Sequence, residues 1–182
     1  SVVKHPKNHS LLAVKGKKDI DIAQISLEDK SLTVVNSETK SELSDQMLPL
    51  SGLARSAGQD RNAKYQPNGD YIAFISDRSG QEQLWLWHQS QDQGQAIQLS
   101  FISSQTSIHN FSWSPDGKHL AWVSDDKLAI SNLDGEIRFF NIEKPIYSVL
   151  SWYAEKQLLV LLNDHQPGGL YHLDLDQNKL SS

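Results

Sequence analysis

Short apolar runs separated by turn-forming clusters recur along the whole chain. Tyr71 to Ile75 and Leu120 to Val123 are apolar at every position but one or none, so both pleat faces of each run are buried. Leu84 to Trp87, Leu128 to Ile130, Ile137 to Phe140, Leu158 to Leu162 and Leu170 to Leu175 are runs of similar length. Ala96-Ile97-Gln98-Leu99 is another. Polar hairpins such as Ser76-Asp77-Arg78-Ser79-Gly80 and Ser124-Asp125-Asp126 lie between them. No stretch carries the 3.6-residue apolar period of an amphipathic helix, and the pattern predicts an all-β chain.

The runs belong to a repeat. Tyr65-Gln66-Pro67-Asn68-Gly69-Asp70-Tyr71-Ile72-Ala73-Phe74-Ile75-Ser76-Asp77 returns as Trp113-Ser114-Pro115-Asp116-Gly117-Lys118-His119-Leu120-Ala121-Trp122-Val123-Ser124-Asp125. A worn third copy runs from Trp152 to Asp164, with Ala154-Glu155 where the others have Pro-Asn or Pro-Asp. The opening aromatics Tyr65, Trp113 and Trp152 are 48 and 39 positions apart. Blades of a β-propeller, four strands each, recur at roughly 40–50 residues. Within a copy the chemistry is that of a tight turn. Pro67 and Pro115 preset φ for the turn's second residue, Asp116 (or Asn68) tolerates the next, and Gly69 and Gly117 accept a positive φ. Asp77 and Asp125 close each copy, where side-chain to backbone bonds stabilise turns.

Blades are expected at residues 1–50, 59–100, 106–142 and 147–182, with residues 36–62 a long, Ser-rich inter-blade connection. In the first of these, Leu11 to Val14 reads as a buried strand, Lys15 to Lys18 as its turn, Ile20 to Leu27 as the next strand region and Leu32 to Val35 as the outer strand. A short strand is possible near Met47 to Leu50. In the last, three strands are expected, with the outer one starting near Leu180 and cut off at Ser182. Val2-Val3 is a weak candidate for a closing strand.

The copy from Trp113 to Asp125 resembles the TolB-type propeller repeat, aromatic-x-Ser-Pro-Asp-Gly-Lys-x-Ile-Ala-Phe-x-Ser-Asp-Arg, nearly word for word. Tyr65 to Arg78 is similar to it with Asn68 in place of Asp, and Trp152 to Asp164 keeps only the aromatic and the buried strand. The resemblance implies a partial propeller of about four TolB-like four-stranded blades, a fragment of a longer protein or a chain closed by dimerisation. Proteins with this repeat include the periplasmic translocation protein TolB, the non-catalytic propellers of prolyl-oligopeptidase-type peptidases, and the periplasmic C-terminal domains of CadC-like or ToxR-like membrane-anchored regulators.

The formal charge of −5 over 182 residues gives nucleic acid or an anionic membrane no global attraction. No apolar run approaches the roughly 20 residues of a membrane helix. With no cysteine, disulfides, thiolate metal sites and cysteine nucleophiles are excluded. The seven histidines lack metal-ligand spacing, and Asp174 to Asn178 begins like a calcium loop but has Lys179 where glycine is needed. No Gly-x-Ser-x-Gly elbow and no phosphate-binding glycine loop occurs. The basic stretch Lys4 to Lys18 reads as a solvated arm and hairpin. Trp85 and Trp87 share one face of their strand and are the candidates for a partner-facing aromatic patch, against burial on the neighbouring blade.

The expectation is therefore a binding domain, not an enzyme, without a cofactor. By resemblance it is a sensory or protein-interaction propeller, the periplasmic C-terminal part of a CadC-like transcriptional regulator. A TolB-like periplasmic scaffold and the propeller of a prolyl-oligopeptidase-type serine peptidase are the alternatives. Its partner would be a protein, or a second copy meeting it through open blade faces.

Overall fold

The structure, a computed structural model, describes residues 2–7, 10–15, 21–26, 51–53, 57–89, 96–103, 107–163 and 169–182. All regular structure among them is strand, and each sheet is a four-stranded antiparallel meander in chain order. The first comprises β1 (Val2–Lys4), β2 (Ser10–Lys15), β3 (Asp21–Ser26) and β4 (Ser51–Leu53). The second comprises β5 (Asp60–Tyr65), β6 (Tyr71–Ser76), β7 (Gln83–His88) and β8 (Ile97–Gln98). The third comprises β9 (Phe111–Trp113), β10 (His119–Ser124), β11 (Lys127–Asn132) and β12 (Ile137–Phe140). The fourth comprises β13 (Ile146–Ala154), β14 (Gln157–Leu162), β15 (Leu170–Asp174) and β16 (Lys179–Ser181). This is the blade unit of a propeller.

Three apolar joints hold the four sheets in a row. Leu12 packs with Ala63, Tyr65, Ile72 and Phe74 between the first and second sheets. Ile75, Leu84 and Leu86 meet Phe111, Leu120 and Trp122 between the second and third. Val123, Leu128 and Ile130 meet Val149, Trp152, Leu158 and Val160 between the third and fourth. β6 and β10 are buried on both faces because each sits between two neighbours, which is why their sequences do not alternate. β14 does alternate: Leu158, Val160 and Leu162 point inward and are buried, whereas Leu159 and Leu161 on the other face are only half-buried. No core cluster joins the first sheet to the fourth among the described residues. The four sheets form a partial propeller.

Both motif turns have the expected geometry. Gly69 N–H donates to Gln66 O and Gly117 N–H to Ser114 O, with φ of +82° and +71° at the two glycines and a proline second in each turn. Asp125 and Asp126 both have positive φ (51° and 60°), the two-residue hairpin whose twist suits flanking strands.

Three expectations need correction. β4 lies within the stretch read as a connection between blades, so the segment before residue 54 supplies the outer strand of the first sheet. The strands expected at Leu32 to Val35 and near Met47 to Leu50 both lie outside the described residues. Val2-Val3 belongs to β1, paired with β2 of its own sheet, and is not a closing strand. The last sheet has its fourth strand, since Lys179, Leu180 and Ser181 pair with Asp174, Leu173 and His172.

Gly117 is where the joint and the turn meet. A Cβ there would stand 3.0 Å from Gln66 Cγ, in a backbone conformation that already disfavours side chains. Gly117→Val should cost at least about 1–3 kcal/mol from the backbone alone, read as a clear drop in melting temperature. An unchanged melting temperature would refute the turn and joint described here.

Candidate functional site

Side chains that cross from one blade to the main chain of the next build the inner part of the propeller. From β5, the Arg61 guanidinium donates to Ile108 O (2.7 Å), Asn62 Nδ2 to His109 O (3.2 Å), and Lys64 Nζ to Asn110 Oδ1 (2.8 Å) and Phe111 O. Trp113 Nε1 returns a bond to Lys64 O (3.2 Å). From the third sheet, Asn110 Nδ2 donates to Val149 O (2.9 Å), and Ser112 Oγ accepts from Trp152 N–H (2.9 Å).

The motif turns extend this crossing. Gln66 follows β5 as Ser114 follows β9. Its amide donates to Gly117 O (2.7 Å) and its side-chain oxygen accepts Tyr71 N–H (3.2 Å). His5, the residue after β1, lies against Gly69, where a Cβ would stand 2.8 Å from its Cε1. Its ring meets Tyr65 edge-on at 4.4 Å. His5 thus belongs to a blade joint and not to a solvated basic arm. These two joints are closed by one device, a side chain seated on the glycine of the next turn.

The third joint is built differently. Ser114 is too short to cross. Its hydroxyl donates to Asp116 Oδ1 (2.6 Å) and accepts His119 N–H (2.9 Å), both within its own turn. The facing turn carries Glu155-Lys156 and no glycine. A cleft of about 830 Å³ opens between the third and fourth sheets. Ile137, Phe140, Trp152 and Leu175 give it apolar walls. Asp116, Glu136, Glu155 and Asp176 face two cations, Arg138 and Lys156. The Ser114 hydroxyl, with the Lys118 N–H, holds the Asp116 carboxyl below the usual carboxylate range despite some desolvation. Lys156 approaches Asp176 at 3.7 Å, and Arg138 lies over the Phe140 ring at 4.8 Å.

The remaining residues singled out in the sequence have structural places. Asp77 Oδ1 accepts Gln59 N–H (2.6 Å) and ties the start of β5 to the β6–β7 turn, whereas Asp125 forms a hairpin. Trp85 and Trp87 do share a face, but it packs against the joint with the first sheet. Trp85 donates its indole N–H to Ser76 O (3.3 Å) and stacks on Arg78 (5.1 Å). They are joint residues and not a free aromatic patch, because that face already has a neighbouring blade. Arg78 lies between the Trp85 and Phe74 rings and bonds both oxygens of the fully buried Asp60 carboxylate at 2.9 Å. Asp174 Oδ1 accepts the N–H groups of Asp176 and Gln177, which is a turn and not a cation loop. Among the described residues no cluster of His, Cys, Asp and Glu is arranged to hold a metal ion. The crossing residues Gln66, Lys64 and His5 escaped the sequence reading. The one available signal was Gln66 standing where the motif has serine.

No family model matches the chain, and no curated protein does. Solved structures match over its whole length. TolB from Acinetobacter baumannii aligns with 20% identity and a TM-score of 0.65, the chain spanning 42% of that protein. A putative TolB from Agrobacterium tumefaciens aligns with 13% identity and a TM-score of 0.69, with 60% of it spanned. A puromycin-hydrolyzing peptidase from Mycobacterium tuberculosis aligns with 11% identity and a TM-score of 0.72, with 28% spanned. The chain thus has the fold of a TolB-like propeller and spans less than two thirds of each of these proteins.

Lys64 offers a test of the crossing bonds. Burial pushes its ammonium down to about 8 from 10.5, and no carboxylate bonds it among the described residues. The unfolded chain then binds the extra proton between those two values, so this residue's contribution to stability rises with pH across the window. The stability of the wild type relative to Lys64→Met should increase from pH 8 to pH 10.5 in denaturant unfolding. A flat difference would mean that Lys64 is solvated and does not bridge the blades.

Proposed function

We propose that this chain is a non-catalytic, protein-binding propeller segment. The observation that carries the reading is the outward face of the fourth sheet. On that face Leu161 of β14 pairs with the exposed Leu170 of β15, and Leu159 pairs with His172. Tyr153 bends over it, its hydroxyl 2.9 Å from His172 Nδ1. In the second and third sheets the equivalent strand is buried on both sides, so this apolar face is built to receive another sheet or a partner.

The resemblance of the repeat supports a setting as the periplasmic C-terminal part of a CadC-like membrane-anchored regulator. Any DNA binding would then lie in another domain. The structural likeness to two TolB proteins supports a periplasmic scaffold as the second reading, and the likeness to a peptidase supports the non-catalytic propeller of a hydrolase as the third.

Two experiments test this. The native polypeptide should appear well above the 20.5 kDa of this chain and in the membrane fraction. A soluble species would favour the TolB-like scaffold, and a co-purifying serine hydrolase activity on the same polypeptide the peptidase. The isolated chain should also self-associate with rising concentration in light scattering, and Leu161→Lys should abolish that association with little change in melting temperature. A monomer at every concentration would overturn the role given to the outward face.

A further inference from the structure

We propose that the cleft between the third and fourth sheets is a docking site for a basic peptide segment of a protein partner, one lysine or arginine flanked by apolar residues. The proposal deepens the reading of the chain as a binding propeller and rests on it.

Comparison of the three joints identifies the site. At the first, His5 fills the space over Gly69, and at the second Gln66 fills the space over Gly117. At the third, Ser114 stays in its own turn, and the position of the missing plug is open. The third copy of the repeat is degenerate at this turn, where Ala154-Glu155-Lys156 replaces the proline-glycine turn. A worn turn need not leave a hole lined by acids, yet here Glu155 from the worn turn and Asp116 from the intact one both line the cleft. The cleft's volume of about 830 Å³ falls in the range of roughly 300–1,000 Å³ typical of binding sites.

The chemistry selects the occupant. Among the lining Asp, Glu, Lys and Arg side chains, four carboxylates against two cations leave an excess of two negative charges. One of the two cations, Lys156, already lies near Asp176, and the other, Arg138, rests on an aromatic ring. Both bonds to the Asp116 carboxylate use Oδ1, which leaves Oδ2 for an incoming donor. Its lowered pKa keeps it ionised. Apolar walls at Trp152, Phe140 and Leu175 suit side chains next to a cation and suit a bare inorganic cation poorly. A lysine or arginine with apolar neighbours satisfies both surfaces.

The test uses the whole chain and two blocked peptides, Leu-Lys-Leu-Arg-Leu and Leu-Glu-Leu-Glu-Leu, followed by NMR at the Trp152 indole N–H. The basic peptide should shift that resonance saturably and the acidic one should not. Glu155→Gln should weaken binding about tenfold, and Asp70→Asn, an equal charge change on the second sheet, should leave it unaltered. Melting temperatures of the two variants serve as the fold control. Equal weakening by both variants would mean attraction to the chain's net charge alone and would overturn the site. So would a preference for the acidic peptide, or shifts from both peptides alike. Shifts by the basic peptide elsewhere with Trp152 unmoved would overturn the cleft and leave the binding reading standing. Loss of self-association in Leu161→Lys with an unaltered peptide shift would separate the two surfaces.

Discussion

Among the described residues neighbouring blades share no backbone ladder, so their joints rest mainly on side chains; one main-chain bond, from Ile146 N–H to Asp126 O (3.1 Å), crosses between the third and fourth sheets. Strand ladders run inside the four sheets, and the inner rim is stitched by side-chain groups reaching main-chain atoms of the next blade. Such bonds matter more for what they prevent than for what they add. A buried carbonyl without a donor costs about 1–3 kcal/mol, while a satisfied bond contributes about 1. Ile108, Phe111, Gly117 and Val149 each offer such a carbonyl. The donors therefore set the register of one blade on the next, and the apolar clusters behind them supply most of the favourable free energy.

This division explains what could be read from the sequence and what could not. The turn residues Pro67, Gly69, Pro115 and Gly117 act locally, and local conformational requirements leave a residue signature. The doubly buried strands β6 and β10 were visible for the same reason, as continuous apolar runs. Crossing residues leave no such trace. His5, Gln66 and Lys64 do related work with three different side chains, because a carbonyl accepts from any donor that reaches it. β4 was missed because only three residues pair, Ser51, Gly52 and Leu53, and an outer strand needs little apolar character. Trp85 and Trp87 could be read only as far as the face they share and the choice between a neighbouring blade and a partner, because which neighbour covers a face is a property of the whole array.

Asp77 and Asp125 show the limit of repeat reasoning. Equivalent in sequence, they differ in backbone conformation: Asp125 has a positive φ and opens a two-residue hairpin, whereas Asp77 is not in the left-handed region. The following residue decides between them. Arg78 reaches the buried Asp60 and draws its turn over Phe74 and Trp85, whereas Asp126 continues a two-residue turn. A motif thus guarantees the strand but not the backbone conformation of its last residue.

Function in such an array is expected where the repeat is broken, since a side chain required at every joint is not free to take a ligand. The first two joints are closed by one device, a side chain on the glycine of the next turn, His5 at one and Gln66 at the other. The third trades its plug for an acid-lined cleft, and the outward face of the fourth sheet is apolar. Both departures lie on the same sheet, one on each side of β14: Leu158 and Val160 face the joint with the cleft, while Leu159 and Leu161 face outward. Because successive side chains of one strand point to opposite faces, a change in how β14 is held on one side is felt on the other.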